Sequence, residues 1–391
     1  MSNSILTPTA VTREILRILH EKLSFIGTIN RQYDDSFANK GAKIGDSLKI
    51  RLPNQYTVTT GKTLSTQDTA EESVTLTVGT QKHVGMKFDS SELTLSLDDF
   101  SKRVIQPAIS VLASDVENDV LSGCTKAVAN CVGTWGTVPA SYKAITDARA
   151  RMNKFLAPKD NRRGLQLESD AMSSMADALK GLFQDSKSVA EQYRDGMIGR
   201  HGGFDWYENE RVYAHATGTD HTTVTVNDAS IASGDTTITT AGANVTVGTV
   251  FTFLNVNAVH PETKADLGFA KQFVITAVSG NDWTFSPAYI TTGAKQNATA
   301  LPVTGDAITV FGTASQTKNQ HLAYHEDAFT FATADLLMPK GVDFSAREVL
   351  DGISVRLVRN YDINNDTFPC RVDVLYGYKA LRPEHACRIT S

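Results

Sequence analysis

At 391 residues and a formal net charge of −5, the chain is too long for a single compact core and has no strongly basic domain, which argues against ordinary DNA binding by phosphate neutralisation. No run reaches the length needed to cross a bilayer, and Met1-Ser2-Asn3-Ser4 lacks the charged and apolar regions of a secretory signal, so no membrane partner is expected and the product should stay in the cytoplasm where it is made. Cys124, Cys131, Cys370 and Cys387 form no CxxC pair and are too sparse for a disulfide scaffold, so reduced, mostly buried thiols are expected and zinc is not.

Thr7 to Leu23 sets Val11, Ile15, Ile18, Leu19 and Leu23 at helical spacing behind Pro8, an amphipathic arm able to dock on its own domain or on a neighbour. From Leu48 to Phe88 the period falls to two: Leu48, Ile50 and Leu52, then Val74, Leu76 and Val78, then Val84, Met86 and Phe88 read as strands. Between the first two, Pro53 to Glu72 is rich in Thr, Gln, Gly and Asp and too polar to bury. It reads as a long protruding hairpin carrying Tyr56, Thr57, Thr60, Lys62 and Thr66. Ser96-Leu97-Asp98-Asp99 opens a capping box, after which Phe100, Val104, Ala108, Leu112, Val116, Val120, Cys124 and Val128 recur every four residues, widened by Ile105, Ile109 and Leu121. This predicts one helix of roughly thirty residues, about 45 Å long, ending near Gly133. Pro107 either kinks it or marks its true first turn. Two shorter helices follow: Ser141 to Leu156, with Tyr142, Ile145, Ala148, Met152 and Phe155 on one side, and a second opened by Ser169, with Met172, Met175, Ala176, Leu179 and Leu182 inward. Lys159, Arg162 and Arg163 between them read as a solvated basic loop.

The next stretch, Tyr193-Arg194-Asp195-Gly196-Met197-Ile198-Gly199-Arg200-His201-Gly202-Gly203-Phe204-Asp205-Trp206-Tyr207-Glu208-Asn209, has four glycines within eight positions. The backbone there turns where side chains would clash. No Gly-Lys-Ser/Thr and no helix follow, so it is a structural turn rather than a phosphate cradle. From Ala216 to Gln316 about a fifth of the residues are Thr, Arg is missing and no helical stripe appears. Six short runs, Thr222-Val226, Thr236-Thr240, Thr249-Val256, Phe269-Val278, Trp283-Phe285 and Ala307-Phe311, are separated by turns such as Ser233-Gly234-Asp235 and Gly280-Asn281-Asp282. They suit a small, closed or nearly closed barrel inserted into a parent domain. The parent resumes with Phe329 and Phe331, and Ile353-Leu357 and Arg371-Tyr376 read as antiparallel partners around Asn364-Asn365-Asp366.

Gly203-Phe204-Asp205-Trp206-Tyr207-Glu208 resembles the Gly-Phe-x-x-Tyr-Glu segment of tailed-phage major capsid proteins, and Tyr193-Arg194-Asp195-Gly196 is similar to the podovirus coat proteins of the Hong Kong 97 fold. The closing Arg382-Pro383-Glu384 resembles that family's exit from its last strand, and the order of elements extends the likeness over nearly the whole chain. The resemblance implies an α+β capsid fold: an N-terminal arm (1–35), strands and an extension loop (36–90), a peripheral domain with a spine helix (91–140), an axial domain in two parts (141–215 and 317–365), an inserted β-barrel (216–316) and a C-terminal peripheral strand (366–391). It further implies that Tyr56, Thr57, Thr60, Lys62 and Thr66 lie on a loop that laps an adjacent subunit and that Gly199, Gly202, Gly203 and Phe204 form an assembly turn. Phe100, Val104, Leu112, Val116 and Val120 would form the core of the spine helix. Arm and hairpin would each bury apolar surface on a neighbour. The implied partners are further copies, in pentamers and hexamers of an icosahedral shell, a scaffolding protein, a portal, and enclosed double-stranded DNA held without sequence-specific contacts. The implied location is the virion capsid, assembled in the bacterial host cytoplasm.

Catalytic chemistry leaves little trace. His321 and His325 lie four apart, but Leu322 stands where a zincin carries Glu, so surface histidines are expected. Asp362 to Asp373 has the length of a calcium loop, yet Thr367 replaces its Gly and Asp373 its bidentate Glu, favouring a hairpin tip. No Gly-x-Ser-x-Gly occurs, and Asp98/Asp99 and Glu71/Glu72 fall on a cap and a loop. No catalytic, cofactor or metal residue is assigned and no enzyme is expected. Two rival classes are a cellular encapsulin-like shell protein and a carbohydrate-binding or adhesive protein. The missing secretion signal and the single Trp, Trp283, in the Thr-rich module weigh against the second.

Overall fold

Two units account for the chain, and the computed structural model describes them over residues 8–31, 46–64, 66–67, 71–88, 105–179, 199–219, 224–242, 244–350, 353–363 and 367–391. The first unit comprises Met1–Arg51, Ser73–Val120 and Phe329–Leu381, and the second Leu52–Glu72, Leu121–Ala328 and Arg382–Ser391.

In the first unit, β1 (Asp46–Leu52) pairs with β2 (Glu72–Val78), and the period-two pattern buries Ile50, Leu76 and Val78. A five-stranded antiparallel sheet is built on β19 (Phe368–Ala380), which pairs with β3 (Thr80–Phe88), β16 (Phe329–Thr333) and β18 (Ile353–Arg359), while β17 (Phe344–Leu350) adds to β18. The helix α1 (Pro8–Lys22) packs its buried Val11, Ile15, Leu16, Ile18 and Leu19 on β17 and β18. The helix therefore covers its apolar face on its own sheet, one of the two placements its pattern allowed, rather than on a neighbour as the resemblance implied. The helix α2 (Gln106–Lys126) carries Pro107 in its first turn and buries Ile109, Leu112, Val116, Val120 and Cys124. Glu117 on α2 is fully buried, and its Oε1 accepts hydrogen bonds from Ser24 Oγ at 2.7 Å and Phe25 N at 3.1 Å. Phe100, Val104 and the Ser96–Asp99 cap lie outside the described residues.

Two sequence expectations fail here for physical reasons. The long helix ends at Lys126 rather than near Gly133, because the backbone of β4 (Cys131–Val132) finds its partners in a parallel strand instead. Val128 is buried as the apolar recurrence predicted, but in a loop. The boundary expected at residue 365 falls inside the β18–β19 hairpin, where Arg356 faces Asp373 across the strands.

The second unit contains a mixed seven-stranded sheet. Its order is β4, β20 (Ala386–Thr390), β15 (Thr317–His325), β5 (Arg163–Leu167), β7 (Phe204–Glu208) and β6 (Arg200–His201), and β8 (Tyr213–Ala216) also pairs with β15. The helices α3 (Tyr142–Lys154) and α4 (Ser169–Leu179) press Ile145, Ala148, Met152, Met172, Met175 and Leu179 onto the Leu165, Leu167, Phe204 and Ile389 side chains of that sheet. Ser141 caps α3, accepting from Lys143 N at 3.2 Å. The basic loop expected at 159–163 is in part a central strand. Arg163 is buried, donating from Nε to Pro158 O at 2.7 Å and from Nη2 to Ala157 O at 2.6 Å.

A second sheet in this unit is antiparallel throughout, in the order β10 (Thr237–Thr239), β13 (Asp282–Ser286), β12 (Asp266–Ser279), β11 (Val250–Val259), β14 (Ala307–Val310) and β9 (Val224–Thr225). Past its ends Val226 bridges Thr240, with Asn227 N donating to Thr239 O and Ala241 N to Thr225 O, each at 2.9 Å. The hydrogen-bonded circuit thus leaves no free edge between β9 and β10. Phe251, Phe253, Phe273, Trp283, Phe285 and Tyr289 fill its interior. The chain enters and leaves this ring side by side, since Ala216 of β8 faces Thr317 of β15.

Candidate functional site

The glycine stretch resolves into a two-residue hairpin. Arg200 pairs with Asp205 and His201 with Phe204, leaving Gly202 and Gly203 as the corner at φ +62° and +84°. Two successive positive φ values define the type I′ corner that matches the twist of flanking strands, and L side chains resist it. Gly199 at φ +71° accepts from Trp206 N at 3.3 Å, and Trp206 Nε1 donates to His201 O at 3.0 Å. A Cβ on Gly202 would stand 3.1 Å from Tyr142 Oη, while one on Gly199 would meet open space. Phe204 is fully buried and starts β7. The four residues expected to form a turn are therefore together at one sheet edge. Tyr193 to Ile198 lie outside the described residues.

Tyr56, Thr57, Thr60, Lys62 and Thr66 follow one another along an irregular segment between β1 and β2. Gln67 braces it, accepting at Oε1 from Thr57 N at 2.9 Å and donating from Nε2 to Thr57 O at 2.5 Å. Three large apolar side chains on this segment face solvent: Tyr56 is 58% exposed, Val58 96% and Leu64 86%. Leu112, Val116 and Val120 are buried on α2. The three groups of expected residues do not form one site. The turn and the exposed segment belong to the second unit, and the helix core to the first.

The sequence reading missed the residues that fasten the six-stranded ring to the seven-stranded sheet. Arg388 on β20 is 1% exposed and donates from Nη1 to Gly248 O at 2.7 Å and from Nη2 to Lys126 O at 3.0 Å. Gln272 on β12 accepts from Cys131 N and donates to Cys131 O, both at 2.9 Å. His215 meets Thr249 Oγ1 at 3.1 Å and Tyr213 Oη at 2.8 Å. An arginine between Cys387 and Ile389 in an otherwise apolar run was the available signal, since a buried guanidinium needs carbonyls arranged around it.

The histidines are a second correction. His321 and His325 lie on β15 and are both fully buried, because β15 is flanked by strands along its length. Burial pushes His321 down to about 4. His325 Nε2 sits 2.8 Å from Asp160 Oδ1, and its ring meets that of His385 edge-on at 6.3 Å. Burial, then the nearby Arg382 and His325, push His385 down to about 4. Asp373, the last position of the calcium-like loop, is held by Arg356 at 2.7 Å and Arg371 at 2.6 Å, so its oxygens are occupied. Burial alone would raise that carboxyl, but the hydrogen bonds from Arg356, Arg371 and Gln81 hold it below the usual carboxylate range. Cys124, Cys131, Cys370 and Cys387 are buried thiols, and burial raises Cys131 to about 11 and Cys370 to about 12. Among the described residues no three His, Cys, Asp or Glu could hold a metal ion, and no helix is long and apolar enough to cross a membrane.

A braced, solvent-facing apolar loop and, within the second unit, a ring fastened to a sheet by buried polar contacts mark a structural subunit. The chain belongs to the P22 coat protein family, whose model, described as P22 coat protein, gene protein 5, matches residues 3–388. No curated protein sequence matches it. Among solved structures it is similar to that of Mycobacterium phage Che8, at 13% identity over 94% of this chain and 90% of that one, with a TM-score of 0.47. It is also similar to the CUS-3 coat protein I-domain, at 28% identity over 23% of this chain and 95% of that one, TM-score 0.20. A virus-like particle from Pyrococcus furiosus matches at 8% identity over 97% of this chain and 98% of that one, TM-score 0.43.

Proposed function

We infer that the chain is the major capsid protein of a tailed phage, many copies of which tile an icosahedral shell. The family match over residues 3–388 carries this reading. The role is structural. In it, the segment bearing Tyr56, Val58 and Leu64 is the extension loop that laps a neighbouring copy, and its outward apolar side chains support that role. Each such side chain contributes about 1.5–3 kcal/mol when fully buried, and a contact repeated by rotation around every capsomer multiplies that modest term.

The Thr-rich ring is an inserted β-barrel in a Hong Kong 97-type fold, projecting from the outer surface and steadying the axial domain through Arg388, Gln272 and His215. The Gly202-Gly203 corner sets the direction of β7 in that domain, and α2 is the spine of a peripheral domain. The partners are pentamers and hexamers of the same chain, a scaffolding protein, a portal, and double-stranded DNA enclosed without sequence-specific contacts. The shell is assembled in the host cytoplasm. Deleting Tyr56 to Thr69 should leave soluble subunits that build no shells under conditions where the full chain does. Normal closed shells from the deleted chain would contradict the lapping role.

A further inference from the structure

Where α3 meets β12, the described residues gather three cations with no carboxylate in ion-pair contact. Lys271 on β12 is 7% exposed, and its Nζ stands 5.0 Å from the centre of the Phe155 ring just past the end of α3. Arg151 on α3 places Cζ 3.8 Å from the centre of the Phe269 ring, and Lys154 places Nζ 4.8 Å from the same ring. The two rings meet edge-on at 6.3 Å. Arg151 Nη1 is buried with no hydrogen-bond partner among the described residues. The acids that act on the group do so only through space. Glu384 raises Lys271 against the larger effect of burial; burial likewise lowers Arg151, opposed by Cys387, Cys131 and then Asp147, which already holds Lys143 at 2.6 Å.

Aromatic faces recover only part of the cost of burying the cations they touch, and a ring face accepts little from an N–H fork. A buried cation without a paired anion is therefore poised to take one. A planar guanidinium beside an ammonium is the arrangement that grips a phosphate oxyanion. We propose that Arg151, Lys271 and Lys154 form a binding site for a phosphate-type oxyanion, either free phosphate or a phosphodiester of nucleic acid. The phosphodiester source rests on the capsid reading, whereas the site itself does not.

The test is equilibrium dialysis of the full chain against radiolabelled inorganic phosphate at neutral pH and fixed chloride. Saturable binding of one phosphate per chain is expected, weakened about tenfold or more in Arg151→Met and in Lys271→Met and unchanged in the exposed-residue variant Lys159→Met. A short DNA duplex that displaces the phosphate would identify the phosphodiester as the source, and failure to displace it would identify the free anion. Because a core variant can misfold, the unaltered chain supplies a second readout. Binding of sulfate, whose own charge is constant over the range, should fall as pH rises through about 8, where Lys271 releases its proton. Unsaturable uptake, equal binding by the chain and by correctly folded Arg151→Met, or sulfate binding indifferent to pH would each overturn the proposal. None of these outcomes depends on whether shells form.

Discussion

Gly202 and Gly199 share a left-handed backbone, at φ +62° and +71°, but differ in what surrounds them. Alanine at either position should cost about 1–2 kcal/mol for the backbone alone, and Gly202→Ala should cost more because its Cβ would crowd Tyr142 Oη at 3.1 Å. Urea midpoints of the two variants measure this, and equal losses would contradict it. The buried histidines make a prediction with a sign. His321 and His385 titrate at about 4 in the folded chain against an ordinary value of 6.5, so between those values the unfolded chain binds the protons first. Their contribution is complete above pH 6.5 and is lost as pH falls toward 4, with a limit of ~3 kcal/mol each. The urea midpoint should therefore drop between pH 7 and pH 4.5, and His321→Asn should flatten that slope. An unchanged slope in the variant would refute the assignment.

At the scale of elements, the six strands of the ring were readable because apolar and polar residues alternate between glycine-bearing turns, a pattern the backbone imposes locally. Its aromatic interior follows from the same alternation, which turns Phe251, Phe253, Phe273 and Phe285 to one side. The attachment of the ring was not readable, because Arg388, Gln272 and His215 act on groups distant in sequence. β5 was obscured because Arg163 looked like loop chemistry, although Leu165 and Leu167 alternate beside it. The end of α2 was misplaced because a recurrence of four continued into a buried loop at Val128. The Arg388 attachment predicts that Arg388→Met, which leaves Gly248 O and Lys126 O without their donor, destabilises the chain by roughly 2–4 kcal/mol. Calorimetry would show it as a lowered midpoint, and no shift would mean that the attachment is dispensable. The closed circuit predicts that residues 216–316 fold alone. Expressed separately they should give dispersed β-type amide shifts, and a collapsed, disordered spectrum would reject that boundary.

For the whole molecule, the family match, the exposed apolar loop and the internally docked arm together describe a subunit whose work is done against copies of itself. On the proposed capsid reading, with α1 docked on its own sheet, association should depend on the loop at Tyr56, Val58 and Leu64 more than on the N-terminal helix. The most direct measurement is negative-stain electron microscopy of the concentrated full-length chain across assembly conditions. Closed shells of uniform diameter are predicted, and a chain that stays monomeric under every condition would contradict the account.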